Sequence, residues 1–257
     1  GAEGSRAVSA PGAMTVVLSG QLVFASNREG GYAIYTIQTD GQGLTRLMPA
    51  SGPARQPAQR SDGALAWVAK GDGPQDLIRF VAVLTGTAEI ADLFSGQDPA
   101  WAPDGSRLAY VSTVAEVNQI FTADAITSMQ VTNEEVYAGQ PTWAPDGVRI
   151  AFGSKRDETN LEIYVMNADG SSPVNITNHE SDDWTPAWSP DGTEIAFSSR
   201  RDGNWEIYIM WADGKDPIRL TDDAGADLAP AWSPDGRWIA FASDRDVIFG
   251  LLESAAS

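Results

Sequence analysis

The stretch that decides the fold is Pro186-Ala187-Trp188-Ser189-Pro190-Asp191-Gly192-Thr193-Glu194-Ile195-Ala196-Phe197. Its Pro-x-Trp-x-Pro-Asp-Gly part recurs around Trp101, Trp143 and Trp232, and a copy that lacks the tryptophan lies between Pro57 and Gly63. The apolar triplet after it occurs six times, and these copies end at Phe24, Trp67, Tyr110, Phe152, Phe197 and Phe241. Successive copies are 43, 43, 42, 45 and 44 residues apart. A repeat of this length is typical of one four-stranded propeller blade.

The Pro-Asp-Gly turn explains why each copy forms a hairpin. Pro190 presets φ for the first corner of a type I turn, and Asp191 suits the second corner. Gly192 then adopts the left-handed conformation that returns the chain. Ile195 and Phe197 alternate on the strand that follows, so both side chains lie on one face. The sequence therefore predicts a structural hairpin whose aromatic residues pack in a core.

The complete repeat unit predicts four strands, and no segment shows helical periodicity over three turns. The predicted order is an inner strand, the Pro-Asp-Gly turn, a second strand, a polar loop, a third strand, a turn and an outer strand. We expect an all-β, six-bladed β-propeller of four-stranded blades over residues 13–257, with units that start near residues 20, 63, 105, 147, 192 and 236. The sixth unit has only three strands. Residues 1–12 are therefore expected to be a linker, or a closing strand that completes the last blade.

Composition narrows the classes of partner. The net charge of −18 and the pI of about 4.2 disfavour nucleic acid and anionic membrane surfaces. No apolar run approaches the roughly 20 residues that span a membrane, so we expect no membrane insertion. Cysteine is absent, which excludes disulfides and thiolate metal sites. Basic proteins, peptides and divalent cations remain as partner classes, and we expect a monomer.

The repeats also resemble those of a known family. Ala-Trp-Ser-Pro-Asp-Gly, followed by Glu-Ile-Tyr-x-Met-x-Ala-Asp-Gly, is similar to the Pro-Asp variant of the WD-type repeat in the propeller domain of the TolB family. The resemblance is strongest over residues 139–243 and extends over essentially the whole chain. Proteins of that family also carry an N-terminal α/β domain, for which this sequence has no room, so the resemblance concerns the propeller domain alone.

This resemblance implies a non-enzymatic module that binds a protein or peptide in a periplasmic or extracellular location. Two alternatives stay open. One is a carbohydrate-active or other enzyme that uses carboxylates at the channel mouth, and the other is a regulatory propeller domain of a larger multidomain protein.

The loops between the outer strand and the next inner strand are acidic, and in a propeller they open on one face around the channel. Asp98 lies in the first of these loops. The candidate ligand-binding acids are Glu134, Glu135, Glu180, Asp182, Asp183, Asp222, Asp223 and Asp227. Such carboxylates can attract a basic partner or hold Ca²⁺, or they form a solvated acidic surface. No Asp-x-Asp-x-Asp-Gly calcium loop is present. We expect no cofactor, with Ca²⁺ at the acidic loops as the alternative.

Residues that break the repeat are better candidates for binding than residues that make it. Trp184 occupies a position in an acidic loop that Gln97, Gly139 and Leu228 hold in other units. Trp205 and Trp211 are further departures from the repeat. Because exposed aromatic side chains often anchor partners, Trp184 is the predicted anchor of the site.

Two other groups of residues have structural interpretations. Four units place an arginine after the strand aromatic, each followed by an acid, which predicts either anion binding or structural pairing with carboxylates. These arginines are Arg28, Arg156, Arg201 and Arg245. The single histidine, His179, has no nucleophile motif beside it, and no Gly-x-Ser-x-Gly or phosphate loop is present. We therefore predict no catalytic residue, although the sequence leaves a pair of glycosidase carboxylates open.

Overall fold

The computed structural model describes residues 14–17, 21–47, 53–70, 76–81, 90–133, 135–157, 160–244 and 249–253. These residues form 23 antiparallel strands in six sheets. Blade 1 contains β1 (Met14–Val17), β2 (Gln21–Ser26), β3 (Ala33–Gln38) and β4 (Thr45–Arg46). Blade 2 contains β5 (Ala54–Gln59), β6 (Leu65–Ala69), β7 (Leu77–Val81) and β8 (Ile90–Ser95).

The next three blades repeat this order of strands. Blade 3 contains β9 (Gln97–Trp101), β10 (Leu108–Val114), β11 (Val117–Ala123) and β12 (Ser128–Gln130). Blade 4 contains β13 (Ala138–Trp143), β14 (Arg149–Ser154), β15 (Glu162–Asn167) and β16 (Val174–Asn175). Blade 5 contains β17 (Asp183–Trp188), β18 (Glu194–Ser199), β19 (Glu206–Trp211) and β20 (Ile218–Arg219). The terminal sheet contains β21 (Asp227–Trp232), β22 (Trp238–Ser243) and β23 (Phe249–Glu253).

The prediction of six four-stranded blades is wrong. The structure has five four-stranded blades, and the sixth repeat unit forms a sheet of three strands within the described residues. The apolar triplet marks only the second strand of each unit, so counting triplets cannot show whether a unit also receives a fourth strand. The strand β1 pairs with β2 as the first strand of blade 1. The predicted closing role of residues 1–12 lies outside the described residues.

The inner strands surround a central channel. Each inner strand contacts the inner strand of the next sheet, and β21 contacts β1. From blade 3 onwards, each inner strand runs from the end that receives the preceding outer strand to the end that carries the Pro-Asp-Gly turn. We call these two ends of the molecule the acidic-loop face and the Pro-Asp-Gly face.

The core lies between neighbouring sheets and consists of the residues that the repeat predicted. Phe152 and Ile150 of blade 4 are fully buried and pack with Trp143 and with Val111 of blade 3. Phe197, Ile195 and Trp188 form the matching cluster one blade further on. The alternating pattern therefore buries one aromatic residue on the second strand of each sheet, as expected for packing between twisted sheets.

The predicted turn geometry is confirmed. Gly192 has a φ of 74°, and its amide donates to the carbonyl of Ser189 at 2.9 Å. The carboxylate of Asp191 accepts a hydrogen bond from the amide of Thr193 at 3.0 Å, which fixes the corner. Its hydrogen bonds with Ser189 and Thr193 hold the pKa of Asp191 below its ordinary value. The aspartates of the Pro-Asp-Gly turns thus have a structural role.

Candidate functional site

Every inner strand from blade 2 to the terminal sheet contains a bulge just before the first proline of its repeat motif. The residue before that proline has a positive φ although it is not glycine. We call these residues the channel belt: Gln56 (φ 49°), Asp98 (φ 51°), Gln140 (φ 53°), Thr185 (φ 51°) and Ala229 (φ 54°). The strand register shifts at each of them. Bulges of this kind re-aim a side chain, and non-glycine residues adopt such a conformation infrequently.

A cavity of about 300 Å³ lies on the channel axis. Its lining consists of belt residues and of the inner-strand residues that follow them, and it reaches Pro190 in a Pro-Asp-Gly turn. The cavity therefore extends from the belt towards the Pro-Asp-Gly face. Its lining residues include four tryptophans and six prolines: Trp101, Trp143, Trp188, Trp232, Pro57, Pro99, Pro141, Pro186, Pro190 and Pro230.

Asp98 is the one ionisable residue among the residues that line this cavity. Its side chain is 6% exposed. The amide nitrogen of the Gln56 side chain donates to the Asp98 carboxylate, and the backbone amide of Asp98 donates to the Gln56 side-chain oxygen at 3.3 Å. Gln140 also hydrogen-bonds to this carboxylate. Burial raises the pKa of Asp98 to about 6, although the hydrogen bonds with Gln140 and the charge of Arg55 oppose this shift.

On the acidic-loop face, two neighbouring loops are held by buried carboxylates. In blade 4, Glu162 accepts hydrogen bonds from the hydroxyl of Thr177 and from the amide of His179. In blade 5, Glu206 accepts from the hydroxyl of Thr221 and from the amide of Asp223 at 3.2 Å. We call these two arrangements the loop clamps. They fix residues 177–182 and 221–226, so these loops are preorganised by the sheet below them.

Asparagine side chains complete both loop clamps. The side-chain amide of Asn160 donates to the carbonyls of His179 at 2.8 Å and Ser181 at 3.0 Å. The amide of Asn204 donates in the same way to the carbonyls of Asp223 and Gly225, both at 2.8 Å. The His179 side chain also stabilises this loop, because its Nδ1 accepts a hydrogen bond from the amide of Ser181 at 3.1 Å.

The predicted acidic residues divide into buried and exposed groups. Asp183 and Asp227 are fully buried, at the first positions of β17 and β21. Asp182 and Asp223 are half-buried, and each carboxylate accepts a backbone amide, from Leu161 and Gly225 respectively. The exposed acids are Glu135, Glu180 and Asp222. Glu134 lies outside the described residues.

Asp183 is an interior ion-pair partner. Its carboxylate lies 2.8 Å from the guanidinium of Arg201, whose group stands 5.4 Å from the ring centre of Phe197 and 4.9 Å from that of Tyr208. Burial raises the pKa of Asp183 to about 6 against the opposing effects of Ser199 and Arg201. Because its carboxylate is buried and lies against Arg201, Asp183 is unavailable to a docking partner.

The other repeated arginines support the structural interpretation. The guanidinium of Arg28 lies 5.0 Å from the ring centre of Tyr35, and that of Arg156 lies 5.3 Å from Tyr164. Cation–π contacts of this kind occur in blades 1, 4 and 5, at the same repeat position. Arg245 lies outside the described residues.

Trp184 lies half-buried at the mouth of the channel. Its ring centre is 5.4 Å from that of Tyr137, at an angle of 43°. It also covers Gly153 of blade 4, where a Cβ atom would come within 2.5 Å of the indole ring. The predicted anchor therefore packs across two blades and keeps part of its surface exposed. Trp205 is half-buried beside Arg200, whereas Trp211 is 50% exposed on the Pro-Asp-Gly face.

The described residues contain neither a metal-binding cluster nor a membrane-spanning helix. Within the described residues, no three histidine or acidic side chains are grouped in a way that would bind a metal ion, and Ca²⁺ at the acidic loops stays a prediction. The same residues contain no helix with the length and apolar character needed to cross a membrane.

The channel belt is the feature that sequence reasoning missed. The sequence placed Asp98 among loop acids, whereas the structure places it inside the channel beside Gln56 and Gln140. A signal existed, because each belt residue directly precedes a proline that lies two residues before the repeat tryptophan or its equivalent. The proline was visible, but the bulge that turns the preceding side chain towards the axis depends on pairing with the second strand.

The sheets around a channel define this chain as a β-propeller protein. The family model described as "TolB beta propeller domain" matches residues 96–204 and 184–248, which is more than half of the chain. The chain therefore belongs to the TolB β-propeller domain family. A comparison with curated proteins gave no match.

Solved structures agree with this assignment. A TolB structure from Agrobacterium tumefaciens has 23% sequence identity and a TM-score of 0.75, over 90% of this chain and 85% of that chain. TolB from Acinetobacter baumannii has 21% identity and a TM-score of 0.73, over 92% of this chain and 64% of that chain. An oligogalacturonate lyase from Vibrio parahaemolyticus has 13% identity and a TM-score of 0.59, over 96% and 89% of the two chains. At these identities the structural likeness shows the fold alone.

Proposed function

We propose that this chain is a non-enzymatic propeller module that binds a basic protein or peptide segment on its acidic-loop face. The observation that carries the proposal is the pair of loop clamps. They hold two adjacent acidic loops in fixed conformations, and Trp184 follows the first of these loops at the second position of β17. A preorganised surface loses little conformational entropy on binding, and Trp184 supplies a rigid aromatic contact of the kind that dominates interfaces.

The electrostatic character of the chain favours a basic partner. The net charge is −18, and Glu180 and Asp222 present exposed carboxylates on the clamped loops. A field of this sign accelerates encounter with a cationic partner. The family assignment agrees with a binding module, and an extracytoplasmic location is part of this proposal.

Enzymatic alternatives receive less support from the described residues. Hydrolysis of a glycoside by the usual mechanism needs two carboxyl groups on opposite sides of the bond. The cavity has Asp98 as its single acid, and Asp183 is committed to Arg201. The resemblance to a lyase and to other enzymes in fold carries no catalytic residues to this chain.

The test uses immobilised peptide arrays in which net charge varies from acidic to basic at constant length, followed by kinetics on the tightest binder. We expect basic peptides to bind, and their association rate to fall as salt rises, because exposed charges are screened within about 10 Å at 0.1 M. The double substitution Glu180→Gln and Asp222→Asn should mainly reduce the association rate, and Trp184→Ala should mainly raise the dissociation rate.

The control is Trp211→Ala, which removes an exposed tryptophan from the Pro-Asp-Gly face. It should leave both rates unchanged. The proposal fails if Trp211 is essential while the loop variants bind normally, or if acidic and basic peptides bind equally.

A further inference from the structure

The guanidinium of Arg55 lowers the pKa of Asp98 through its charge but forms its ion pair with Asp76. None of the ion pairs among the described residues includes Asp98. Its hydrogen bonds come from the uncharged amides of Gln56 and Gln140. A buried carboxylate is costly unless it is paired with a cation. Asp183, the other buried aspartate with a raised pKa, differs from Asp98 because the guanidinium of Arg201 lies 2.8 Å from its carboxylate.

The cavity around Asp98 has the character of a site for a cation on an apolar stem. The carboxylate lies at the belt, while the walls beyond it consist mainly of proline, alanine and tryptophan. A volume of about 300 Å³ is at the lower end of ordinary ligand pockets. Apolar walls favour a methylene chain, and indole rings favour a nearby positive charge.

Arginine side chains lie over tryptophans that line the cavity. The guanidinium of Arg107 lies 4.5 Å from the ring centre of Trp143, and that of Arg149 lies 4.8 Å from Trp188. Arg149 directly precedes Ile150, which pairs with Trp143 across the strands. In blade 5 the equivalent residue is Glu194, which directly precedes Ile195, the strand partner of Trp188. No described guanidinium lies over Trp232. The wall between blade 5 and the terminal sheet therefore has an acidic residue where its neighbours have arginine.

We propose that this cavity binds an alkylammonium or alkylguanidinium group, whose positive charge pairs with the Asp98 carboxylate and whose apolar stem lies along the Trp188 and Trp232 walls. The site is separate from the acidic loops, because it extends from the belt towards the Pro-Asp-Gly face. Its ligand is either a small free amine or a lysine or arginine side chain of a partner. The two sources share the chemistry that Asp98 recognises.

The experiment measures binding of three probes to the whole chain by calorimetry and by the indole N–H signals in NMR spectra. The probes are n-butylammonium, N-acetyl-lysine methylamide and the neutral N-acetyl-norleucine methylamide. We expect the two cations to bind and to shift tryptophan indole signals, and the neutral probe to bind more weakly by roughly tenfold or more, as expected for loss of a charge-assisted hydrogen bond. Binding of n-butylammonium alone identifies a free amine as ligand, and binding of both cations identifies a side chain.

The Asp98→Asn variant should lose affinity for the cations by the same factor, whereas Glu180→Gln, an exposed acid of the opposite face, should not. A second measurement needs no variant. The affinity of n-butylammonium should rise between pH 5 and pH 7.5 as Asp98 ionises, since burial raises the pKa of this carboxyl to about 6. The other ionisable groups that face Asp98 are the phenol of Tyr137, whose pKa burial raises further above this range, and the guanidinium of Arg55.

Three results would overturn the proposal: affinities for n-butylammonium and for the lysine probe that are both no higher than that for the norleucine probe, unchanged cation binding in a folded Asp98→Asn variant, or an Asp98-dependent site that prefers Ca²⁺ to both ammonium probes. The Glu180→Gln/Asp222→Asn and Trp184→Ala variants on the peptide array test the other face independently, because none of these residues lines the cavity. If basic peptides do not bind, or bind these variants as they bind the parent protein, while n-butylammonium still binds, the proposed function is refuted and the cation site is retained.

Discussion

At the scale of single residues, the channel belt concentrates two costly features at one position. Asp98 has a φ of 51° and is 6% exposed, so it combines an infrequent backbone conformation with a buried charge. Each feature costs free energy of folding. Residues of this kind cluster at functional sites, and Asp98 is the belt residue that carries a charge.

The stability of the protein should report this buried charge through its pH dependence. Because the pKa of Asp98 rises to about 6 on folding from an ordinary value of 3.8, the folded state binds this proton more tightly than the unfolded state. Stability is therefore lost as pH rises from about 4 to about 6. The Asp98→Asn variant lacks this loss, so its stability relative to the parent should increase by roughly 2 kcal/mol between pH 4 and pH 7.

Urea unfolding at both pH values measures this difference. The control is Asp104→Asn, a change to an exposed turn aspartate whose pKa is lowered by its hydrogen bonds to Ser106. It should gain no relative stability at pH 7. A pH-independent difference between Asp98→Asn and the parent protein would contradict the buried-charge assignment.

Gly192 provides a second prediction at this scale. A side chain here must adopt the left-handed conformation, which costs about 1–2 kcal/mol, and its Cβ atom would lie 3.0 Å from Cγ of Pro145. We expect Gly192→Val to lower the free energy of unfolding by about 2 kcal/mol or more. Gly31→Val is the matched control, because nothing lies within 4 Å of a Cβ atom there. Equal losses in the two variants, measured by chemical denaturation, would refute the turn argument.

At the scale of elements, the loop clamps connect a buried strand residue to an exposed loop. Glu206 lies at the first position of β19 and is fully buried. Burial alone would raise the pKa of Glu206, but its hydrogen bonds with Thr221, Arg219 and Asp223 together lower it. The sheet thus fixes the loop through an ionised carboxylate.

Replacing Glu206 with glutamine should loosen this loop. The amide keeps the size of the side chain but weakens the ion pair with Arg219, which lies 2.8 Å away. We expect a loss of about 1–3 kcal/mol, because hydrogen bonds to charged groups are among the stronger ones. Hydrogen exchange at residues 221–226 should accelerate.

The control for this prediction is Asp222→Asn. Asp222 pairs with the same arginine at 2.8 Å, but its side chain is 86% exposed, and exposed ion pairs contribute little. If Asp222→Asn accelerates exchange as much as Glu206→Gln does, the clamp does not hold the loop.

At the scale of the whole molecule, the net charge of −18 acts on the compact state as self-repulsion. Adding sodium chloride from 10 to 200 mM shortens the range of this repulsion. We therefore expect Tm to rise over this range, as measured by calorimetry at pH 7. Since the ion pairs are mostly at the surface and contribute little, their screening should not reverse the effect. A falling Tm would show that attractive charge pairs dominate.

The sequence by itself determined the parts of the structure that depend on local periodicity. The Pro-Asp-Gly turn, the alternation of Ile195 and Phe197, and the propeller architecture all follow from short repeated segments. These features need only the φ preferences of proline and glycine and the two-residue period of a strand. For the repeated arginines, the same local pattern left both anion binding and structural pairing open.

Only the tertiary structure decided what depends on neighbouring blades. The triplet count could not show that the terminal sheet has three strands within the described residues, because the fourth strand of a sheet is a matter of pairing. Asp183 and Glu180 are loop acids of the same sequence type, yet one is buried against Arg201 and the other is exposed. Burial of a charge is set by the strands that surround it, and the bulges that place Asp98 in the channel arise only when the inner strand pairs with its neighbour.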